Sequence, residues 1–313
     1  MRWLRGIGIA LAAWRLLGPV ITPRFPPGQQ HPMRLAGRTV YVGDREFLVR
    51  ESGPADGPPL VLVHGLGGSS LAEWYEMVPL LDDRFRVVLV DHRNHGLSPL
   101  ARERYDVDVV ADEVAGVMDA MGIGRAAVAG YSMGGAIAQV LAYRHPSRVT
   151  RLVLIGTLTH HPPFRRWSRT LGITVVRAWE RLTGWGTPEV RAGYLLAVRA
   201  VSSRHARWLW EETHRRDPEV GAEAAYAMLR FDSREWVERL RPPTLVVIPS
   251  RDQLVPPAWQ YELAARIPDV RALELLDARH EAPWTHPDRI AAAMREFLDH
   301  KPSRDSGAAE LDG

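Results

Sequence analysis

Val128-Ala129-Gly130-Tyr131-Ser132-Met133-Gly134-Gly135 is the stretch that decides how this chain folds. A short apolar run, Ala126 to Ala129, leads into Gly-x-Ser-x-Gly, and the small residues Gly135-Ala136-Ile137-Ala138 follow. Strand, sharp turn and helix in that order place Ser132 on a turn so tight that its backbone must be strained. Bulky side chains two before or two after it would collide with the turn, which is why glycine stands at 130 and 134. The hydroxyl is thereby exposed where a helix begins, and the amides there favour a developing negative charge. Alone, the motif also fits an ordinary turn between a buried strand and a helix. Its partners decide.

A serine hydroxyl is a poor nucleophile until a base takes its proton, and the base works best when a carboxylate fixes its tautomer. Two later turns supply those residue types. Asp252 follows the apolar run Thr244-Leu245-Val246-Val247-Ile248-Pro249, and His280 lies four residues past Leu273-Glu274-Leu275-Leu276. Both are expected at the strand ends that also present Ser132. An earlier run, Val61-Leu62-Val63, enters His64-Gly65-Leu66-Gly67-Gly68. That loop is read as turning back over the sheet, so that the Leu66 and Met133 amides pair around a carbonyl oxygen. Each such donor is worth roughly 3–4 kcal/mol of barrier in enzymes that lost one.

Around these turns, short β-branched runs alternate with helical patterns, the signature of a mostly parallel sheet flanked by helices. Strands are predicted at Thr39–Val42, Glu46–Glu51, Leu60–Val63, Val87–Asp91, Ala126–Gly130, Leu152–Ile155, Leu245–Pro249 and Ala272–Leu276, the first two as an antiparallel hairpin. Helices are predicted at Ser70–Leu81, Val107–Met121, Gly135–Arg144, Pro257–Ile267 and Pro287–His300. Between Ile155 and Leu245 the alternation stops, and helical pattern rich in tryptophan takes over (Trp167, Trp179, Trp185, Trp208, Trp210 and Trp236). This is read as an inserted cap over the strand ends. The expected organisation is a core of 33–156 and 242–300, a cap of 157–241 and a polar tail of 301–313. Residues 1–32 precede it as an apolar, basic segment with a Pro-rich linker.

Together these residues resemble the α/β-hydrolase superfamily in its lid-bearing serine-hydrolase branch. The resemblance covers about residues 35 to 300. It rests on the His64-Gly65 loop, Asp91-His92-Arg93-Asn94-His95-Gly96-Leu97-Ser98, the serine turn, the Asp252 turn and the His280 turn. It implies an eight-stranded, mostly parallel sheet with a helical cap. It assigns the nucleophile to Ser132, the base to His280 and the orienting acid to Asp252. Some relatives place the acid after the preceding strand, but no Asp or Glu occurs between Ile155 and Glu180. Asn94 stands where many relatives have glycine, and asparagine tolerates left-handed geometry. Asp91 is expected to brace the turn after it, His64 and His95 to shape loops, and His286 to cap the final helix. Tyr131, Trp167 and Trp185 are expected to touch substrate. No cofactor or metal is called for.

The expected activity is cleavage of carboxylic esters with an apolar acyl or aryl group, by way of an acyl-enzyme. A C–C bond hydrolase, a cofactor-free perhydrolase or haloperoxidase, and an acyltransferase would share the same triad. A non-enzymatic ligand receptor on the same fold would be expected to have lost a triad member.

Composition bounds the partners. The chain has 313 residues, 46% of them apolar and 25% charged, and it lacks cysteine, which excludes disulfides and thiolate chemistry. Of its 40 basic residues every one but Lys301 is arginine, yet the formal net charge is only +3. No basic stripe or recognition motif points to nucleic acid. Residues 3–21 are largely apolar but broken by Arg5 and Arg15, too short between breaks to span a bilayer. With Trp3, Trp14 and no acid in the first 40 positions, a helix resting on an anionic membrane surface is the leading reading. A helix packed on the protein itself comes next, and a cleaved signal last. The expected partners are a small ester, lipid among the candidates, in the cytoplasm or peripherally on a membrane. Oligomeric state cannot be read from the chain.

Overall fold

Leu60–Val63, Val87–Val90 and Ala126–Ala129 are buried along their whole length, as strands covered on both faces must be. The computed structural model describes residues 33, 35–98, 100–183, 193–214 and 218–300, and in it these runs form the middle of one sheet. Its strands are β1 Gly37–Val42, β2 Arg45–Ser52, β3 Pro59–Val63, β4 Arg86–Val90, β5 Ala126–Tyr131, β6 Val149–Ile155, β7 Thr244–Pro249 and β8 Val270–Leu275. The eight-stranded order is β1-β2-β4-β3-β5-β6-β7-β8. The β1–β2 and β2–β4 pairs are antiparallel and all others parallel. The predicted strands are all present, with ends shifted by a few residues.

The connections run opposite ways on either side of the β3–β5 pair: β3 leads to β4 on one flank, β5 to β6 on the other. Diverging connections open a crevice beyond the C-terminal ends of those strands. Helices α1 (Ser70–Trp74), α2 (Val107–Ala120), α3 (Met133–Arg144), α7 (Pro257–Arg266), α8 (Ala282–Thr285) and α9 (Pro287–Asp299) belong to the core. Two apolar clusters flank the sheet, one containing α2 and α3 residues such as Val114 and Ile137, the other containing Trp74 and Met294.

The predicted helix Ser70–Leu81 is instead two pieces. α1 stops at Trp74, and a 3₁₀ turn covers Val78–Leu80. Pro79 explains the break, since it has no N–H to return to the preceding turn. α3 starts at Met133 rather than Gly135, directly after Ser132. His286 does occupy the N-cap position before α9 but makes no side-chain cap; its Nδ1 lies 2.8 Å from Thr285 Oγ1 instead.

After β6 the chain forms a helical cap: α4 Pro163–Thr183, α5 Ala206–His214 and α6 Pro218–Arg230. Its neck is stitched. His160 and Asp232 make a β-bridge, and Ser233 N–H donates to the Thr159 carbonyl at 2.9 Å. The cap meets the core through Ser69 Oγ donating to Glu212 (2.9 Å) and Arg230 donating to the Tyr105 carbonyl (3.2 Å). The 3–21 segment and the 301–313 tail lie outside the described residues. Among the described residues no helix is long and apolar enough to cross a membrane.

Candidate active site

Ser132 has φ 54° and ψ −117°, a left-handed backbone that only a rigid surrounding maintains. Its N–H donates to Ile155 O at 2.9 Å, pinning the turn to β6. A Cβ on Gly130 would overlap the Gly134 carbonyl across the turn, as the sequence argument required. Gly134 has a different reason. A Cβ there would strike the Val63 carbonyl, so it is the neighbouring strand that demands glycine.

β7 and β8 bring the other two groups. His280 Nε2 lies 3.0 Å from Ser132 Oγ, and its Nδ1 lies 2.7 Å from Asp252 Oδ2. Asp252 is buried, and its second oxygen accepts the Leu254 and Val255 amides at 2.9 and 2.8 Å. Gln260 Nε2 also donates to Oδ2, at 3.1 Å. With every other partner a donor, the carboxylate takes the Nδ1–H of His280, which leaves Nε2 to accept from the serine. A hydroxyl so placed can pass its proton to the imidazole as it attacks. Gln260 was invisible in the sequence. It is buried on α7, eight residues past the acid, and nothing in its surroundings distinguishes it from a surface glutamine.

The loop after β3 is held by a second network. The Gly65 amide donates to the buried Glu73 carboxylate, and the His64 carbonyl accepts from His92 Nε2 at 3.2 Å. The next carbonyl, that of Gly65, lies 2.9 Å from His64 Nδ1. Because His92 N–H reaches His64 Nε2 (3.4 Å), the proton of His64 is assigned to Nδ1, which donates to Gly65 O. A trans peptide points its N–H opposite its C=O, so fixing the Gly65 carbonyl also fixes the direction of the Leu66 N–H. Leu66 and Met133 both line the cavity above Ser132. Glu73 and His92 were missed as loop holders. Their only signal was proximity to the His64-Gly65 and Asp91 motifs.

Asp91 is buried beneath this loop. It accepts from Ser70 N (2.7 Å), Ser70 Oγ (2.6 Å) and Leu97 N (3.0 Å), and pairs with Arg50 at 3.3 Å. Gly96, at φ 56°, leaves no room for a Cβ against that carboxylate, and Asn94 takes φ 67°.

His92 stacks on His64 with centroids 3.8 Å apart, and Tyr105 Oη lies 3.2 Å from its Nδ1. Burial pushes its pKa down to about 4, and burial together with Arg169 and Arg166 does the same to His161. Both imidazoles are therefore neutral in the folded protein while the unfolded chain takes up protons near the ordinary 6.5. In that window the unfolded state binds more protons, so folding stability is full above 6.5 and is lost as pH falls toward 4. The shift of His92 corresponds to about 3 kcal/mol. Denaturant titrations at stepped pH should show this loss, and His92→Gln should flatten the slope. An unchanged slope in the variant would refute the assignment.

A cavity of about 730 Å³ opens over Ser132 and His280. Cap residues Ile173, Val176, Ala222 and Met228 form its roof, while Leu158 and Trp284 contribute from the core. Tyr131 presents its ring to this space, and its hydroxyl donates to the His280 carbonyl at 2.9 Å. Trp167 does not line the cavity. It is 68% exposed on the far side of α4, a correction to the expectation for it. Trp185 lies outside the described residues. Trp179, Trp208 and Trp236 do not line the cavity either. Trp208 packs edge-on against Tyr75, and Trp236 stacks on Tyr143 at 4.6 Å.

Comparison with known proteins places this geometry. The family model for the alpha/beta hydrolase fold matches residues 58–287. A candidate carbamate hydrolase, RutD, of Caulobacter sp. strain K31 is 34% identical over 266 residues, 79% of this chain and 92% of that one. A pimeloyl-[acyl-carrier protein] methyl ester esterase of Aeromonas hydrophila subsp. hydrophila is 33% identical over 255 residues, covering 77% and 96%. Among solved structures, the enol-lactonase of Burkholderia xenovorans LB400 superposes with a TM-score of 0.71 at 28% identity, over 84% of this chain and all of that one.

Proposed function

The chain belongs to the α/β-hydrolase family and is a hydrolase of ester-type substrates, and from that premise we propose a serine mechanism directed at esters with an apolar acyl or aryl group. His280 deprotonates Ser132 as Oγ attacks the acyl carbon. The carbonyl oxygen becomes an oxyanion between the Leu66 and Met133 amides. As the tetrahedral intermediate collapses, the C–O bond to the alcohol breaks and His280 hands that oxygen its proton, leaving Ser132 acylated. Water then attacks the ester, His280 taking its proton, and the acid departs as the proton returns to Ser132. The observation that carries this reading is the unbroken run of contacts from Ser132 Oγ through His280 to Asp252.

The apolar roof supports the substrate class. A cavity of about 730 Å³ has the size of pockets that enclose small organic ligands. Each methylene moved from water into it is worth about 0.8 kcal/mol, or roughly a fourfold gain in kcat/KM until the space is filled. With p-nitrophenyl esters from acetyl to palmitoyl, kcat/KM should climb past butyryl and then fall. A flat or declining series would refute an apolar acyl site. The enol-lactonase and the methyl ester esterase, whose names describe ester cleavage, are consistent with this bond as the target.

A further inference from the structure

His161 stands one residue past the bridge at the neck of the cap, and it lines the cavity while only 4% exposed. Three contacts fix it. Arg166 Nε donates to its carbonyl at 3.0 Å, Arg169 Nη1 lies 3.3 Å from its Nδ1, and Trp259 meets its ring edge-on at 5.9 Å. Arg169 is itself held, over the Trp259 ring at 5.6 Å and on the Leu254 carbonyl at 3.0 Å. A guanidinium can only donate, so Nδ1 is the lone-pair nitrogen and the proton of this imidazole is assigned to Nε2. Among the described residues Nε2–H has no hydrogen-bond partner, and it is not sealed away from open space.

A fixed donor without an acceptor is costly in an apolar cavity, and the cost is recovered when a ligand supplies the oxygen. Charge selects which oxygen. The guanidiniums of Arg169 and Arg177 share the cavity wall with three carboxylates, those of Glu73, Glu180 and Glu281. Two against three leave no positive field to draw in an anion. An uncharged carbonyl or ether oxygen meets the same N–H without repulsion, and Arg169 behind Nδ1 polarises the donor.

We propose that His161 is a specificity-determining residue, whose Nε2–H hydrogen-bonds an uncharged oxygen on the substrate chain beyond the scissile carbonyl. The substrate class is an ester whose apolar chain is interrupted by one oxo or ether oxygen. This rests on the ester reading above for the bond cleaved, so recognition is measured apart from turnover. The probes are p-nitrophenyl octanoate, its 4-, 5-, 6- and 7-oxo derivatives, and the p-nitrophenyl half ester of octanedioic acid as the anionic arm. The proteins are the wild type, His161→Phe and His161→Gln. Ratios of kcat/KM are taken within each protein, so a loss common to all the esters cancels.

In the wild type one oxo position should be cleaved about tenfold better than its isomers. His161→Phe should level the isomers, and His161→Gln, whose amide still donates, should restore part of the preference. Calorimetric binding of the same esters to Ser132→Ala should rank the isomers as turnover does. In that variant the 15N resonance of His161 Nε2 should move when the preferred isomer is added, a readout that needs no substitution at 161. Equal cleavage of all isomers by the wild type overturns the proposal, as does a preference that survives in His161→Phe or an Nε2 resonance that stays put. A half ester that outperforms every oxo ester overturns it too. Oxo-selective binding to Ser132→Ala without hydrolysis by the wild type would instead overturn the ester reading and leave the His161 site standing.

Discussion

Ser132→Ala is expected to lower kcat/KM on p-nitrophenyl esters by roughly four to six orders of magnitude. The reason is geometric. His280 Nε2 lies 3.0 Å from Oγ, and alanine leaves the imidazole with no nucleophile to activate. In the proposed mechanism, what survives is positioning by the Leu66 and Met133 amides, which would stabilise an oxyanion but form no covalent bond to the acyl group. Folding should be little affected, since alanine keeps the Cβ and retains the strained φ of 54° without relieving it. A fluorophosphonate gives an independent readout. Its mass should appear on the peptide bearing Ser132 in the wild type and be absent from the variant. A variant retaining a tenth of the activity would place the nucleophile elsewhere.

Asp252→Asn should be nearly as damaging, at about 10⁴-fold in kcat. The amides of Leu254 and Val255 demand an acceptor at Oδ1, so the asparagine carbonyl would take that position and its NH₂ would face His280. A donor opposite Nδ1 drives the imidazole proton to Nε2. The ring then presents hydrogen, not a lone pair, to Ser132. Gln260 adds to the misfit, because its own NH₂ already points at Oδ2. Asp252→Ala, which imposes no wrong tautomer, should fall no further than the asparagine variant. A mild effect in kcat for asparagine, with normal folding by circular dichroism, would remove Asp252 from the orienting role.

The fold and the candidate site's three side chains, which the structure brings together, were legible because both rest on local spelling. Short runs of four to six residues pointed to the strands, and residues just beyond their ends to Ser132, Asp252 and His280. Where one residue carried a hard constraint that the pattern outvoted, the reading slipped. Pro79 lies inside an apolar periodicity that otherwise supports a single helix to Leu81. Partners defined only by folding stayed hidden, as with Glu73 under Gly65 and Gln260 behind Asp252. Trp167 failed for another reason. A helix with apolar residues on two faces does not declare from its sequence which face turns inward.

The histidines near the serine illustrate the same limit. The sequence points to His280 as the base and to His64 as a loop-shaping residue, but nothing in it says which carbonyl His92 holds. His92 and His64 hold carbonyls and so aim an amide, while His280 alone reaches Oγ.

The stitched neck of the cap has a consequence beyond its present shape. Because the chain departs at Thr159–His160 and rejoins at Asp232–Ser233, the two cuts that would excise the cap lie side by side. A foreign insert whose ends are equally close could be spliced across them without moving β6 or β7. Selectivity is therefore transplantable, while the reaction stays with the recipient sheet. Descendants of such a scaffold can change what they cleave by exchanging one contiguous stretch of gene.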